Sequence, residues 1–271
     1  MRLPIVQIDA FASKIFEGNP AAVMPLNAWL DDAVLQAIAA ENNLAETAFL
    51  VPDESDASDF ELRWFTPETE VALCGHATLA SGHFVLSADP DREKVTFRTR
   101  KAGVLEVARA GAGYELALPA WGPSPKPLPE IVAALGLSDA VETLWHANRY
   151  GLIVLESADQ VRALDPDFRK LAVEGDVLTI VTAPGDAGPA AGSGADVVSR
   201  VFAPGAGIDE DPVTGSAHAV MVPYWANRLG RDSFTAYQAS ARGGHLTCRL
   251  EGERVILGGE CVTVIEGTFF L

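Results

Sequence analysis

Apolar and polar residues alternate loosely over residues 4–11, which predicts a strand. Gly18-Asn19-Pro20 reads as a turn and Ala21 to Met24 as a short second strand. From Leu30 to Glu41 the apolar positions are Leu30, Val34, Leu35, Ile38 and Ala39, a helical spacing, with Asp31 placed to cap it. Leu44 to Val51 reads as a strand carrying Glu46, residues 52–59 as a solvated turn, and Phe60 to Phe65 as another strand. At Gly75 the pattern changes and almost every residue to Leu86 is apolar. A helix apolar on all sides belongs inside its domain.

Strands are expected at 94–99, 103–109 and 113–118. The segment from Ala120 to Pro129 carries prolines at 123, 125, 127 and 129 and reads as a linker. Beyond it come a helix at 129–135, strands near 141–147, 151–156 and 177–182, and a helix at 158–164. Residues 184–196 are rich in Gly and Ala and suggest a mobile surface loop. A second apolar helix is expected over 215–229, kinked at Pro223. Strands at 234–238, 244–250, 254–258 and 261–266 complete the reading.

The chain repeats itself. Arg63-Trp64-Phe65-Thr66-Pro67 is followed by Gly75-His76-Ala77, and Arg200-Val201-Phe202-Ala203-Pro204 by Gly215-Ser216-Ala217. Each block runs into an apolar stretch and then into a glycine turn, at Gly103 and at Gly243-Gly244. So long a repeat implies two similar halves. The expected fold is therefore α+β, with two pseudo-symmetric halves at 1–119 and 120–271. Each is a mainly antiparallel sheet wrapped around a central buried helix, and the last strand is free to return to the first half. Facing each other, such halves would form a cleft rimmed by two helix N-termini.

Bulk properties narrow the partners. The 271 residues carry a formal net charge of −17, which argues against nucleic acid and against anionic membrane surfaces. No stretch approaches the ~20 apolar residues of a membrane span. The first residues lack the apolar core and cleavage site of a signal peptide. Cys74, Cys248 and Cys261 are odd in number and have no paired spacing, as expected of free thiols in a cytoplasmic protein.

The candidate chemistry lies at the two helix starts. Unsatisfied N–H groups and the helix dipole attract an anion there. Gly75 and Gly215 let the backbone approach a ligand closely, and His76 and Ser216 each add a polar group. Either glycine alone could serve only helix packing; the two in register, each with a polar neighbour, favour binding of a small carboxylate. Asp211, just before the second helix, reads by itself as a dipole partner or cap. Glu46 reads either as a carboxylate turned to water from an edge strand or as a buried acid/base. The five histidines show no metal-ligand spacing, and there is no phosphate loop or nucleophile elbow, so no metal site is expected.

Together these segments resemble the phenazine-biosynthesis PhzF-like family, which has the diaminopimelate-epimerase fold. The resemblance rests on Asp9-Ala10-Phe11, Gly18-Asn19-Pro20-Ala21-Ala22-Val23, Asn43-Leu44-Ala45-Glu46-Thr47-Ala48-Phe49, Arg63-Trp64-Phe65-Thr66-Pro67, Cys74-Gly75-His76-Ala77-Thr78, Glu210-Asp211-Pro212-Val213-Thr214-Gly215-Ser216-Ala217 and Gln238-Ala239-Ser240-Ala241-Arg242-Gly243-Gly244. It spans nearly the whole chain, with one local departure: Ala45 stands where the family often has Ser. It implies a cofactor-independent isomerase and a homodimer. It implies Glu46 as the acid/base carboxylate, His76 and Asp211 as assisting residues, and Gly75, Gly215 and Ser216 as the substrate-binding set.

Amino-acid epimerisation and ligand binding without chemistry are the rival expectations. A two-thiol epimerase of this fold would need a cysteine before both buried helices. Cys74 precedes Gly75, but Thr214 precedes Gly215, so the pair is broken. That leaves a carboxylate as the principal base, Glu46 before Asp211.

Overall fold

In the computed structural model, residues 1–55, 57–186 and 194–271 are described. They group into two units, Met1–Leu118 with Gly258–Leu271, and Pro119–Leu257. The fold is α+β, rich in strand.

In the first unit, strand Arg2–Ala10 pairs antiparallel with Cys261–Phe270 on one side and with Asn19–Pro25 on the other. Asn19–Pro25 runs parallel to Glu46–Pro52, in the register Ala21 to Glu46. Glu46–Pro52 is antiparallel to Phe60–Phe65, with Thr47 opposite Phe65. Phe60–Phe65 is antiparallel to the two-residue strand Glu70–Val71 and parallel to Lys94–Thr99, from which an antiparallel ladder continues through Val104–Ala110. The second unit has the same order of pairings. Glu142–His146 is antiparallel to Tyr150–Val154, which runs parallel to Leu178–Pro184. Leu178–Pro184 is antiparallel to Val197–Ala203, with Thr179 opposite Phe202. Val197–Ala203 is antiparallel to Ile208–Asp211 and parallel to Ser233–Gln238, which pairs antiparallel with Gly244–Glu251.

Strand side chains alternate between faces, and this decides what each face covers. In Glu46–Pro52, Phe49 and Val51 join Met24, Leu26 and Phe65 in a core with Leu35, Ile38 and Ala39 of helix Asp32–Asn42. The even-numbered residues, Glu46 among them, point the other way. Helix Gly75–Ala88 packs against Asn19–Pro25, Arg2–Ala10 and Glu46–Pro52. Ten of its fourteen residues are buried, the first eight without a break, as its apolar composition predicts. Gly82 is required by this packing: a Cβ there would lie 2.3 Å from Cγ1 of Val107.

In the second unit, helices Pro129–Ala134, Ala158–Arg162 and Phe168–Ala172 pack against Ile153, Val181, Val198 and Phe202. The last of these helices is absent from the sequence reading, although Asp167 caps it by accepting from the Lys170 N–H. Helix Gly215–Leu229 continues through Pro223. Proline offers no N–H to the carbonyl four residues back. The freed Ala219 carbonyl accepts instead from the backbone N–H of Trp121 at 2.9 Å. The proline-rich run is thereby pinned to this helix, and Ser124–Pro125 adds a bridge to Leu144 and Trp145. The mobile loop expected over 184–196 falls mostly on residues 187–193, outside the described residues.

Candidate active site

Gly18 adopts a φ of +66°, and a Cβ on it would strike the Ala10 carbonyl oxygen. Only glycine suits this turn, and it delivers Asn19 to the first position of its strand, fully buried. The parallel register then sets Ala21 beside Glu46. Glu46 is buried, on the face that carries helix Gly75–Ala88. Its Oε2 lies 3.0 Å from Nε2 of His76, the second residue of that helix. The contact is close but not aligned as a full hydrogen bond. The sequence reading left Glu46 open between water and interior; its neighbours are interior ones.

Two groups face the other ring nitrogen. Nδ2 of Asn19 lies 3.2 Å from Nδ1 of His76, and Sγ of Cys74 lies 3.6 Å from the same atom. An amide nitrogen and a thiol both donate, so in the neutral ring Nδ1 accepts and the proton sits on Nε2, toward Glu46. Burial works against a charge on His76, but the Cys74 and Glu46 side chains beside the ring outweigh it and hold the imidazole above its ordinary range. Burial pushes the Cys74 thiol up to about 11, with the Glu46 charge adding to the effect. Near neutrality Cys74 therefore stays a thiol.

Helix Gly75–Ala88 begins without a capping side chain and without an acid in its first turn. Helix Gly215–Leu229 begins the same way. In both, the first-turn N–H groups lack the oxygen that a Ser, Asp or Asn cap would supply. Gly75 and Gly215 are the first helical residues, and His76 and Ser216 the second.

Asp211 ends strand Ile208–Asp211, and its carboxylate accepts from the Thr214 hydroxyl. Gln238, fully buried, ties this loop together. Its amide nitrogen donates to the Asp211 carbonyl at 2.7 Å, and its oxygen accepts from the Thr214 N–H at 2.9 Å. Burial raises the pKa of the Tyr150 hydroxyl, against a smaller lowering effect of the Ser216 side chain. Tyr150 and the nearly parallel pair Trp121 and His146 form an aromatic group. None of Asn19, Gln238, Tyr150 or Trp121 is singled out by sequence reasoning. The signal for Asn19 and Gln238 was their place in the quoted Gly-Asn-Pro and Gln-Ala-Ser segments.

Each helix start is approached through the same construction. Arg63 grips Glu70 with two bonds of 2.8 Å and lies over Phe65, its guanidinium 4.9 Å from the ring centre. Arg200 grips Glu210 at 2.7 and 2.8 Å and lies over Phe202 at 5.0 Å. In each case the helix opens five residues after the glutamate. The shared register also exposes a difference. Thr47 faces Phe65 as Thr179 faces Phe202, so the position of Glu46 is held in the second unit by Leu178. Thr214 stands in place of Cys74, and Ser216 in place of His76. Only the first unit has a carboxylate and an imidazole at these positions.

No helix among the described residues is long and apolar enough to cross a membrane. A family profile described as phenazine biosynthesis-like protein (PhzC-PhzF) matches residues 8–267. A Pseudomonas aeruginosa protein named an uncharacterized isomerase is 48% identical over 269 residues, covering 98% of each chain. The crystal structure of a PhzF-family phenazine biosynthesis protein from Enterococcus faecalis superposes with a TM-score of 0.89 at 43% identity, over 100% of both chains. A hydroxyproline epimerase from Agrobacterium vitis shares the fold, with a TM-score of 0.61 at 11% identity over 98% of this chain and 92% of its own.

Proposed function

The chain belongs to the phenazine biosynthesis-like family, and from that premise we propose that it is an isomerase moving a proton between carbons of a small substrate bearing a carboxylate and an amine. The observation that carries this reading is the buried Glu46 carboxylate, 3.0 Å from His76 beside an uncapped helix start. The relatives named as isomerases support the reaction class.

The step balances on one carboxylate. Glu46 takes a proton from a substrate carbon, and the C–H electron pair spreads into the adjoining unsaturated system. The N–H groups at Gly75 and His76 stabilise the charge that develops. The proton on Glu46 exchanges with solvent through His76, Glu46 then delivers a proton to a different carbon, and the double bond moves. His76, with its Nε2 proton toward Glu46, holds the carboxylate in position and relays protons. In the second unit, Gly215 and Ser216 offer a helix start and a hydroxyl to a carboxylate, and Asp211 offers a carboxylate to an amine. The presence of Leu178 at the position matching Glu46 favours one base over two. A single base suits a proton shift between carbons better than inversion at one carbon.

The test is incubation with a panel of small unsaturated amino acids and carboxylates in deuterated buffer, read by mass and by NMR. Deuterium at a new carbon together with a moved double bond supports the proposal. Deuterium at an inverted centre with the double bond in place would make the protein an epimerase. No exchange with any substrate that binds would make it a binding protein.

A further inference from the structure

We infer that Glu46, Cys74 and His76 form a binding site for a soft divalent cation, and that Zn²⁺ filling it blocks proton transfer. The blocking half rests on the reading of Glu46 as the base; the site itself does not. One carboxylate oxygen, one sulfur and one imidazole nitrogen from these residues all lie within 4.8 Å of one another. Nothing in the sequence spacing shows this, because a strand start and a helix start 28 residues apart supply the ligands.

The geometry suits a small four-coordinate ion. With Zn–S about 2.3 Å and Zn–N about 2.0–2.1 Å, a tetrahedral S···N edge is about 3.5 Å. The observed distance from Cys74 Sγ to His76 Nδ1 is 3.6 Å. The third ligand needs a shorter reach than it now has, and Glu46 can supply it: its Oε2 and the facing Nε2 of His76 are buried and not aligned to each other. A fourth position is left for water or a substrate oxygen. Thiolate with imidazole and one carboxylate favours zinc over magnesium or calcium, which prefer all-oxygen ligands.

Binding must displace two things. The Cys74 thiol gives up its proton as the S–Zn bond forms, and the Asn19 amide leaves Nδ1 of His76. Both weaken the site relative to a structural zinc centre, so the ion is expected to act as a reversible inhibitor. With one oxygen on the metal, the Glu46 carboxylate is less basic and held toward the ion, and it no longer serves as the base for a substrate proton.

The experiment uses Co²⁺ as the probe, because a cobalt–thiolate bond gives a near-ultraviolet charge-transfer band that reports the site whatever the activity. The purified wild-type protein should develop this band with the visible bands of four-coordinate cobalt, and Zn²⁺ should displace both. Cys74→Ser should abolish the near-ultraviolet band, while Cys248→Ser and Cys261→Ser keep it. Glu46→Gln should keep the band and weaken binding about tenfold or more. Circular dichroism establishes that each variant folds, and Cys74→Ala replaces Cys74→Ser if the serine variant does not. Absence of the band in the wild type, or its survival in a folded Cys74 variant, would overturn the site. If the band forms and turnover is undiminished, the blocking claim falls. If exchange activity needs Glu46 but no band forms, the proposed function stands and this inference fails.

Discussion

The side-chain amide of Asn19 meets Nδ1 of His76 at 3.2 Å, 57 residues away along the chain. This contact, with Glu46 at the opposite nitrogen, decides where the ring carries its proton. In the neutral ring of the wild type, ¹⁵N NMR of His76 should find the proton on Nε2. Asn19→Asp places an anion at Nδ1, which draws a proton there and lifts the pKa of the imidazolium further. Any limb of the pH–rate profile set by loss of this proton should then move to higher pH. A His76 spectrum unchanged by Asn19→Asp would show that the contact does not control the tautomer.

Gly82 leaves no room for a side chain against Val107. Gly82→Ala should therefore cost about 1–3 kcal/mol, as overpacking of a tight core does, despite the better helix propensity of alanine. Thermal or urea denaturation measures it. A variant as stable as the wild type would mean that the buried helix can shift away from Val107.

His218 gives a pH signature of folding. It is fully buried, its Nδ1–H donates to the Thr214 carbonyl at 2.8 Å, and burial pushes its pKa down to about 4. The unfolded chain takes up this proton below about pH 6.5, whereas the folded one resists until about 4. The unfolded state thus binds more protons, and stability falls as the pH drops through that window, by up to about 3 kcal/mol. His218→Gln removes this component, so the wild-type minus variant stability difference should shrink with falling pH. A difference independent of pH between 6.5 and 4 would show that His218 is not held neutral.

Long elements were legible because their periodicity is long. The helix at Gly75 and the strand carrying Glu46 follow directly from where apolar residues stand, and their edges shift by only a residue or two. Asp31 does precede helix Asp32–Asn42, but its side chain makes no capping bond; its backbone carbonyl accepts instead. The strands Glu70–Val71 and Ile208–Asp211 and helix Phe168–Ala172 are too short to show any period. At the candidate site, the sequence pointed to glycine–polar helix starts and to a carboxylate in an apolar strand. It could not show that Asn19 and Cys74 share one nitrogen of His76, or that Gln238 ties Asp211 to Thr214. Those contacts depend on register between strands, and one strand's residues do not declare their partners.

Helix Gly215–Leu229 gives a prediction for its anion site. Ser216→Ala removes one polar group but leaves the backbone N–H groups in place. It should weaken substrate binding by about the 0.5–1.5 kcal/mol of one hydrogen bond, while the protein stays folded. Calorimetry with a substrate found in the exchange screen reads this. Unchanged affinity would remove Ser216 from the binding set.

The claim that matters most is that Glu46 is the base, and it is tested by solvent deuterium exchange into substrate with Glu46→Gln and Cys74→Ala side by side. Glutamine keeps the shape of the side chain and removes its basic oxygen. Glu46→Gln should lower exchange by about 10²-fold or more, the usual cost of losing a general base, and Cys74→Ala should be much milder. Exchange kept in Glu46→Gln and lost in Cys74→Ala would contradict it and make the thiol the proton-transfer group.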